Sequence, residues 1–136
     1  MSAKRIDAVL LDSPKAEALA AFYRDRLGIP FEEERHGSAP HWACFLGGVH
    51  FAIHQKDDAA GAVRNVSLSF EVADVDSAVE RLQKEGVLIH LQPADRPYGR
   101  LAAIKDPDGN LVYLHHYPAS PPQRPGKKKK ASGRNR

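Results

Sequence analysis

Four side chains that can exchange protons occur in segments with strand-like patterns: His50, His54, Glu71 and His115. Imidazole titrates near neutral pH and a carboxylate can accept a proton, so such a set can act as acid and base or hold a divalent ion. For proton transfer Glu71 and His54 are the first candidates, because one can accept a proton while the other donates. The alternative is that the histidines lie at strand ends in solvent and that Glu71 pairs with Arg64 or Arg100.

Hydroxyl groups come from the same strand-like runs. Because strand side chains alternate between faces, Ser67 and Ser69 share a face with Glu71. A phenol such as Tyr113 on the floor of a pocket can hydrogen-bond a ligand oxygen and stack on an apolar ring, and Ser67 can share that role. The alternative for Tyr113 is that it only fills space.

The segment from Gln92 to Arg100 is long, charged and rich in proline, which predicts a loop. Loops of this kind often border binding sites. Within it Tyr98 is a candidate ligand contact, and either Arg96 or Arg100 can anchor a carboxylate or phosphate of a ligand. The alternative is a solvated connector.

The chain has a single cysteine, Cys44, which alternates with Trp42 and Leu46. A small buried side chain is therefore the favoured interpretation, rather than a nucleophile. One cysteine cannot form an internal disulfide, which fits the cytoplasmic location that we expect.

These candidates depend on an arrangement that occurs twice. A strand-like run, a helix-like run ending in glycine and three more strand-like runs extend over residues 5–57 and again over 64–117. The two glycines, Gly28 and Gly86, are 58 positions apart. The helices are predicted at 14–27, with Ser13 as the cap, and at 74–85. We therefore predict one α+β domain, residues 1–117, made of two β-α-β-β-β units joined by a hinge at 56–64.

Strands are predicted at 5–11, 30–34, 41–46, 49–55, 65–72, 87–92, 100–105 and 111–116. Alternation within them separates two faces. The side chains predicted to pack under the helices include Phe51, Ile53, Val66, Leu68, Phe70, Val72, Val112 and Leu114. If the two units curl toward each other, the opposite faces line a concave and partly polar cup.

The net charge of +3 misrepresents the body of the chain. Residues 118–136 hold seven of the 20 Lys/Arg residues and no acids, which leaves 13 basic and 17 acidic residues in the body. This tail has no apolar residue larger than Ala or Pro, so we expect it to be disordered, with weak electrostatic contact to nucleic acid as one use and solubility as the other. No apolar run approaches the roughly 20 residues that span a bilayer, so we expect no membrane partner.

Short motifs follow the repeat in order: Phe22-Tyr23 and Leu27-Gly28, then Phe70 to Asp76, then Tyr98-Gly99 and Asp106 to Asn110. Together they resemble the vicinal oxygen chelate superfamily, which includes glyoxalase I, bleomycin- and fosfomycin-resistance proteins and extradiol dioxygenases. The resemblance covers roughly residues 5–117. It implies a cupped mixed sheet built from the two units, but not a reaction, because one fold supports many chemistries.

The metal enzymes of that family hold a divalent ion with His, Gln or Glu from four central strands. The resemblance places the equivalent positions at Ala8, Ala52, Ser67 and Tyr113. Alanine has no donor atom, and serine and tyrosine hydroxyls need help to ionise. We therefore expect no metal cofactor at this place.

The leading expectation is a protein that binds a small, partly apolar molecule without metal, as drug-sequestering relatives do. Because relatives commonly pair through their sheets, we also expect a homodimer. Ligand contacts are expected at Ala8, His50, Ala52, His54, Ser67, Ser69, Glu71, Tyr98, Arg100, Tyr113 and His115. One alternative is an enzyme of the superfamily, such as a lyase, isomerase or dioxygenase. Another is a scaffold whose basic tail contacts nucleic acid.

Overall fold

The computed structural model describes residues 1–36, 39–59 and 65–118, and of His36 only the backbone. In the first unit β1 (Ala8–Ser13), α1 (Ala16–Leu27), β2 (Glu32–His36), β3 (Ala39–Leu46) and β4 (Val49–Gln55) follow one another. The second unit contains β5 (Leu68–Glu71), α2 (Val75–Lys84), β6 (Ile89–Arg96), β7 (Gly99–Lys105) and β8 (Leu111–His116). The predicted α+β fold of two β-α-β-β-β units is thus confirmed.

Each unit forms a four-stranded mixed sheet with the same topology. The strand orders are β1-β4-β3-β2 and β5-β8-β7-β6. The first strand of each unit pairs in parallel with its last strand, with Ala8 opposite His50 and Leu68 opposite Val112. A parallel pair needs a long crossover, which here includes the helix, so the helix covers one face of its own sheet. The other face of each sheet, turned away from the helix, is called the open face below.

The two helices begin in different ways. The amide of Ala16 at the start of α1 donates to the Oε1 atom of Gln55 at 3.0 Å, and Ser13 Oγ accepts instead from the amide of Lys15. Ser13 therefore supports the turn before α1 rather than capping the helix as predicted. The cap of α2 is the predicted Asp74, whose Oδ1 atom accepts from the amide of Ser77 at 3.1 Å.

The helix-bearing sides of the two units share one hydrophobic core. The ring of Tyr23 on α1 lies 5.6 Å from Phe51 of its own unit and 6.1 Å from Phe70 of the other unit. Both Tyr23 and Phe51 are buried. Burial of each such side chain stabilises the fold by roughly 1.5–3 kcal/mol, so this cluster fixes one unit against the other.

A buried polar contact also joins the units. The Tyr23 hydroxyl donates to the Oδ2 atom of Asp106 at 2.7 Å, in the turn before β8. The same carboxylate accepts from the amide and side chain of Asn110 and from the amide of Asp108, so the predicted sharp turn is held internally. Burial and the neighbouring Asp106 raise the pKa of Tyr23 well above its ordinary value, which keeps the hydroxyl protonated as a donor.

The most consequential differences from the sequence prediction are in β6, at the end of β1 and just before β5. Strand β6 continues to Arg96, so the predicted loop 92–100 is mostly strand and hairpin. Register shifts around Pro93, which lacks an amide hydrogen, allow the strand to pass through it. Strand β1 ends at Ser13 rather than Leu11, and Val66 precedes β5, where it is 61% exposed instead of packed under a helix.

Part of the predicted hinge and nearly all of the predicted tail, residues 119–136, lie outside the described residues. None of the helices in the part of the chain that the structure describes is long and apolar enough to cross a membrane.

Candidate ligand-binding site

A cavity of about 600 Å³ lies on the open face of the second sheet. Strand pairing places Ser69 opposite Tyr113 and Leu101 opposite His115, so side chains from adjacent strands meet there. The cavity, called the aromatic cavity below, is lined by Ser69, Leu91, Arg96, Pro97, Tyr98, Leu101, Tyr113, His115 and Tyr117. It therefore brings together four of the residues expected to contact a ligand: Ser69, Tyr98, Tyr113 and His115.

His115 is the most constrained side chain of this cavity. Its Nε2 atom lies 3.0 Å from the carbonyl oxygen of Tyr98, and its ring lies 4.0 Å from that of Tyr117 and 5.7 Å from that of Tyr98. A carbonyl oxygen can only accept, so Nε2 carries the proton and donates. His115 is only 6% exposed, whereas Tyr98 and Tyr117 are about half exposed. The imidazole thus serves as a fixed wall, with tyrosine rings at the mouth.

Gly99 makes this arrangement sterically possible. Its φ angle is +131°, and a Cβ atom added there would clash with the backbone oxygen of His116 and lie 2.9 Å from His115 Nε2. Only glycine fits, because it tolerates this backbone region and leaves room for the imidazole. The Tyr98-Gly99 pair therefore positions the wall of the cavity.

The open face of the first sheet carries the other predicted group of side chains. Ala8 lies opposite His50, and Asp12 lies opposite His54. Ala52, between the two histidines, is completely buried. The predicted ligand contacts Ala8, His50, Ala52 and His54 are therefore together on one sheet, separate from the aromatic cavity on the other.

A polar row crosses this first open face. The ring of His54 stacks on His41 at 4.8 Å, and His41 Nε2 lies 3.3 Å from the Oε1 atom of Glu34. In this pair a carboxylate can orient an imidazole, as in general acid–base sites. Glu71, the other candidate for proton transfer, lies on the second sheet opposite His115, so Glu71 and His54 belong to different sheets.

Arg100 lies on the helix side rather than on the open face. Its Nε and Nη2 atoms hold the carboxylate of Asp76 at 2.6 and 2.9 Å, and Nη1 lies 2.9 Å from Asp95. These hydrogen bonds lower the pKa of Asp76 below its ordinary value. The expected ligand contact Arg100 therefore ties β7 to α2. Ser67, also expected to contact a ligand, is exposed just before β5.

Comparison with known proteins now identifies the family. The model of the Glyoxalase/Bleomycin resistance protein/Dioxygenase superfamily matches residues 5–114. The chain belongs to this superfamily. The comparison with curated proteins gave no match.

Several solved structures have the same fold. TnmS3, an antibiotic binding protein from Streptomyces sp. CB03234, is 22% identical, with 87% of this chain and 99% of that chain covered and a TM-score of 0.68. A glyoxalase/bleomycin resistance protein/dioxygenase from Nocardioides is 22% identical, with coverage of 93% and 92% and a TM-score of 0.70. Lactoylglutathione lyase from Agrobacterium tumefaciens is 22% identical, with coverage of 85% and 96% and a TM-score of 0.63. At this identity the likeness establishes the fold alone.

The residues at the superfamily's metal positions do not suit a divalent ion. Ala8 and Ala52 offer no donor atom, and Ser67 and Tyr113 offer neutral hydroxyls. Among the described residues, no group of three or more His, Cys, Asp or Glu side chains is arranged to hold a metal ion. The expectation of a metal-free protein stays a prediction, which rests on this donor chemistry.

Cys44 lies on the helix side of β3, opposite Phe51, and packs against the shared core. Burial raises the pKa of its thiol above the ordinary value. A raised pKa disfavours the thiolate, so the geometry gives no support to a nucleophilic role.

Sequence reasoning missed four residues that line the aromatic cavity, Leu91, Pro97, Leu101 and Tyr117, whereas Arg96 was predicted as an alternative to Arg100. Leu101 could have been found from alternation, because Ala102 and Ile104 on the same strand face the core. The others depend on the length of β6, which the proline-rich composition concealed. Tyr117 follows the last strand and was not considered as part of a wall.

Proposed function

We propose that this superfamily member binds a small, partly apolar aromatic molecule in the aromatic cavity, without a metal ion. The observation that carries the proposal is the cavity of about 600 Å³ walled by three tyrosines and a buried histidine. Its volume is in the range of roughly 300–1,000 Å³ that small-molecule sites occupy. Apolar walls with a few polar groups are also typical of such sites.

The lining indicates how a ligand is held. Tyr98 and Tyr117 at the mouth can stack on or meet edge-on an aromatic ring, and each such pair contributes about 0.5–1.5 kcal/mol beyond area burial. The hydroxyls of Ser69 and Tyr113, which are paired residues of β5 and β8 and both line the cavity, supply hydrogen bonds to ligand oxygens. The description of TnmS3 as an antibiotic binding protein supports a binding role for the same fold.

The location is tested by a matched pair of substitutions, one on each open face. A thermal-shift screen of aromatic compounds first supplies a ligand, and its affinity is then measured by titration calorimetry. Tyr113→Ala should weaken binding about tenfold or more, because it removes a ring and a hydroxyl from the floor. His54→Ala, on the first open face, should have a much smaller effect, because His54 does not line the cavity of its own chain.

The opposite outcome would move the site. If His54→Ala weakens binding and Tyr113→Ala does not, the ligand lies on the first sheet. If neither substitution matters, the apolar cleft between the units, about 280 Å³ and lined by residues such as Val9, Leu46 and Phe70, becomes the better location.

Absence of a metal is tested directly. Elemental analysis of the purified protein, with thermal shifts on addition of Ni, Zn, Mn or Fe, should give no stoichiometric metal and no stabilisation. One bound metal ion per chain would contradict this part of the proposal.

We also propose that a second copy of the chain covers the open faces, as a cytoplasmic homodimer. Leu10 and Phe45 on the first open face are 60% and 73% exposed, and Leu91 and Tyr98 on the second are 38% and 50% exposed. A drug-sized ligand is usually buried over most of its surface, so the aromatic cavity needs a cover. Placing the first open face of one copy on the second open face of the other buries both apolar sets and satisfies two-fold symmetry.

The dimer is tested by sedimentation or light scattering. Phe45→Asp should convert dimers to monomers, because it places a charge at the centre of the proposed contact. Leu88→Asp is the control, since Leu88 is 64% exposed but lines a different cleft, together with Phe22 and Arg26 of α1. A monomeric wild-type protein, or equal effects of both substitutions, would contradict the proposal.

A further inference from the structure

Arg96 is a positive charge at the aromatic cavity whose use the fold does not explain. It is the last residue of β6, paired with Gly99 across the hairpin, and its side chain is exposed and lines the cavity. Within residues 1–36, 39–59 and 65–118, no carboxylate forms an ion pair with it. A guanidinium in this setting remains available for a ligand.

The neighbouring Arg100 shows what a structural arginine looks like in this hairpin. All three of its side-chain nitrogens donate to carboxylates: Nε and Nη2 bind Asp76, and Nη1 binds Asp95. The strand register explains the difference: Asp95 pairs with Arg100 on the helix side, while Arg96 is one position further along and faces the other way. The hairpin thus assigns one arginine to the fold and presents the other at the cavity.

The charges around the cavity favour an anion near Arg96. The described residues that line the cavity include no carboxylate. The nearest acid on the open face, Glu71, is on β5, at the opposite edge of the sheet from β6. Three strand spacings of about 4.8 Å separate the backbones at these edges by roughly 14 Å, and among the described residues Glu71 and Arg96 form no ion pair.

We infer that the ligand is an aromatic compound with an acidic oxygen group, such as a carboxylate, sulfonate or phenolate. Its anionic group binds the guanidinium of Arg96, whose planar donor fork suits paired oxygens, while its ring lies among Tyr98, Tyr113 and Tyr117. This inference rests on the proposed function and adds the ligand's charge to it.

A matched pair of probes separates the ring from the charge. 8-Anilinonaphthalene-1-sulfonate and N-phenyl-1-naphthylamine share the same aromatic frame, but only the first carries a sulfonate. Binding of each to the full-length protein is followed by fluorescence. The variants are Arg96→Gln, Arg100→Gln and Tyr113→Ala. The two arginine variants remove the same net charge from the same hairpin, so a difference between them reports the local contact rather than the overall field.

Arg96→Gln should raise the dissociation constant of the sulfonate probe about tenfold and leave that of the neutral probe unchanged. Arg100→Gln should change neither affinity, and added salt should weaken only the sulfonate probe. If Tyr113→Ala weakens both probes but Arg96→Gln weakens neither or both equally, the cavity binds ligands and the inference about charge is wrong. If Tyr113→Ala changes neither affinity, or neither probe binds, the proposed function itself fails.

Discussion

The open faces of the two sheets have the same strand order but very different side chains. The first carries histidines and acids, with Ala52 buried between His50 and His54. The second carries a histidine, three tyrosines and a free arginine around a cavity of about 600 Å³. A duplicated backbone thus presents, in one copy, a polar row beside the exposed Leu10 and Phe45 and, in the other, an aromatic pocket. The difference teaches that the repeat provides position, while substitutions on one face provide the binding chemistry.

The hairpins of the two units should differ most in their tolerance of a methyl group. Gly99→Ala should lower the free energy of unfolding by about 3 kcal/mol, because the new Cβ meets His115 and the backbone of His116. Gly47→Ala, in the hairpin of the first unit, should cost only about 1 kcal/mol, since nothing lies within 4 Å of its added Cβ. Urea denaturation measures both, and equal losses would remove the steric role assigned to Gly99.

Substitutions at the contacts that each helix makes with the other unit should have the next largest effect on stability. Tyr23→Phe removes a donor from the buried Asp106 and should cost roughly 1–3 kcal/mol. Its counterpart 58 positions later, Arg81, donates to the backbone oxygen of Arg26 at 2.9 Å but is half exposed. Arg81→Gln should therefore cost less than about 1 kcal/mol. The prediction is contradicted if the exposed contact proves to be the stronger one in thermal denaturation.

The start of α1 should show a smaller effect. Gln55→Ala removes the acceptor of the Ala16 amide and the donor to the carbonyl of Pro14, and should cost about 1 kcal/mol. Gln55 also donates to the Oδ1 atom of Asp57 at 2.8 Å, so part of the loss comes from the turn after β4. Urea denaturation at pH 7 measures the cost, and no loss of stability would mean that another group supports this helix.

Loss of the cap at the start of α2 should lower the stability least, and its cost should depend most on pH. Asp74 is held by the backbone amide of Ser77, which lowers the pKa of this carboxyl below its ordinary value. Its contribution is therefore complete above the pKa of the unfolded chain, about 4, and is lost as pH falls through the lower folded value. The difference in melting temperature between wild type and Asp74→Ala should shrink from pH 7 to pH 2. A constant difference would contradict the charged cap.

Much of the fold could be predicted from residue pattern alone. Strands β4 and β8 were placed correctly at both ends, because each follows a turn with glycine and carries apolar residues at alternate positions on its helix side. Gly28, with a φ angle of +69°, ends α1 as predicted. Sequence rules are sufficient to place an element when a single residue type, such as glycine at a turn or helix end, meets the backbone requirement.

The site was harder to predict, because it depends on register. Arg100 and Leu101 are adjacent, yet one pairs with α2 and the other lines the cavity, and only the pairing of β7 decides which. The extension of β6 through Pro93 requires a bulge that no local preference predicts. Tyr117 was therefore not assigned to the pocket, and the sequence could not decide between Arg96 and Arg100 as the ligand contact. Alternation within a strand tells which residues share a face, but not which face meets a ligand.

The parallel pairing within each unit also governs the order in which the chain can assemble. Ala8 of β1 pairs with His50 of β4, and Leu68 of β5 pairs with Val112 of β8. The first strand of each unit therefore stays unpaired until the last strand of that unit has been made. The hydroxyl of Tyr23 donates to Asp106, which lies even further along the chain. Contacts so distant in sequence slow folding, because the loop must close before any stabilisation is gained. During synthesis the strands of the first sheet can therefore pair before the second unit is made, whereas the shared core and the bond from Tyr23 require the second unit.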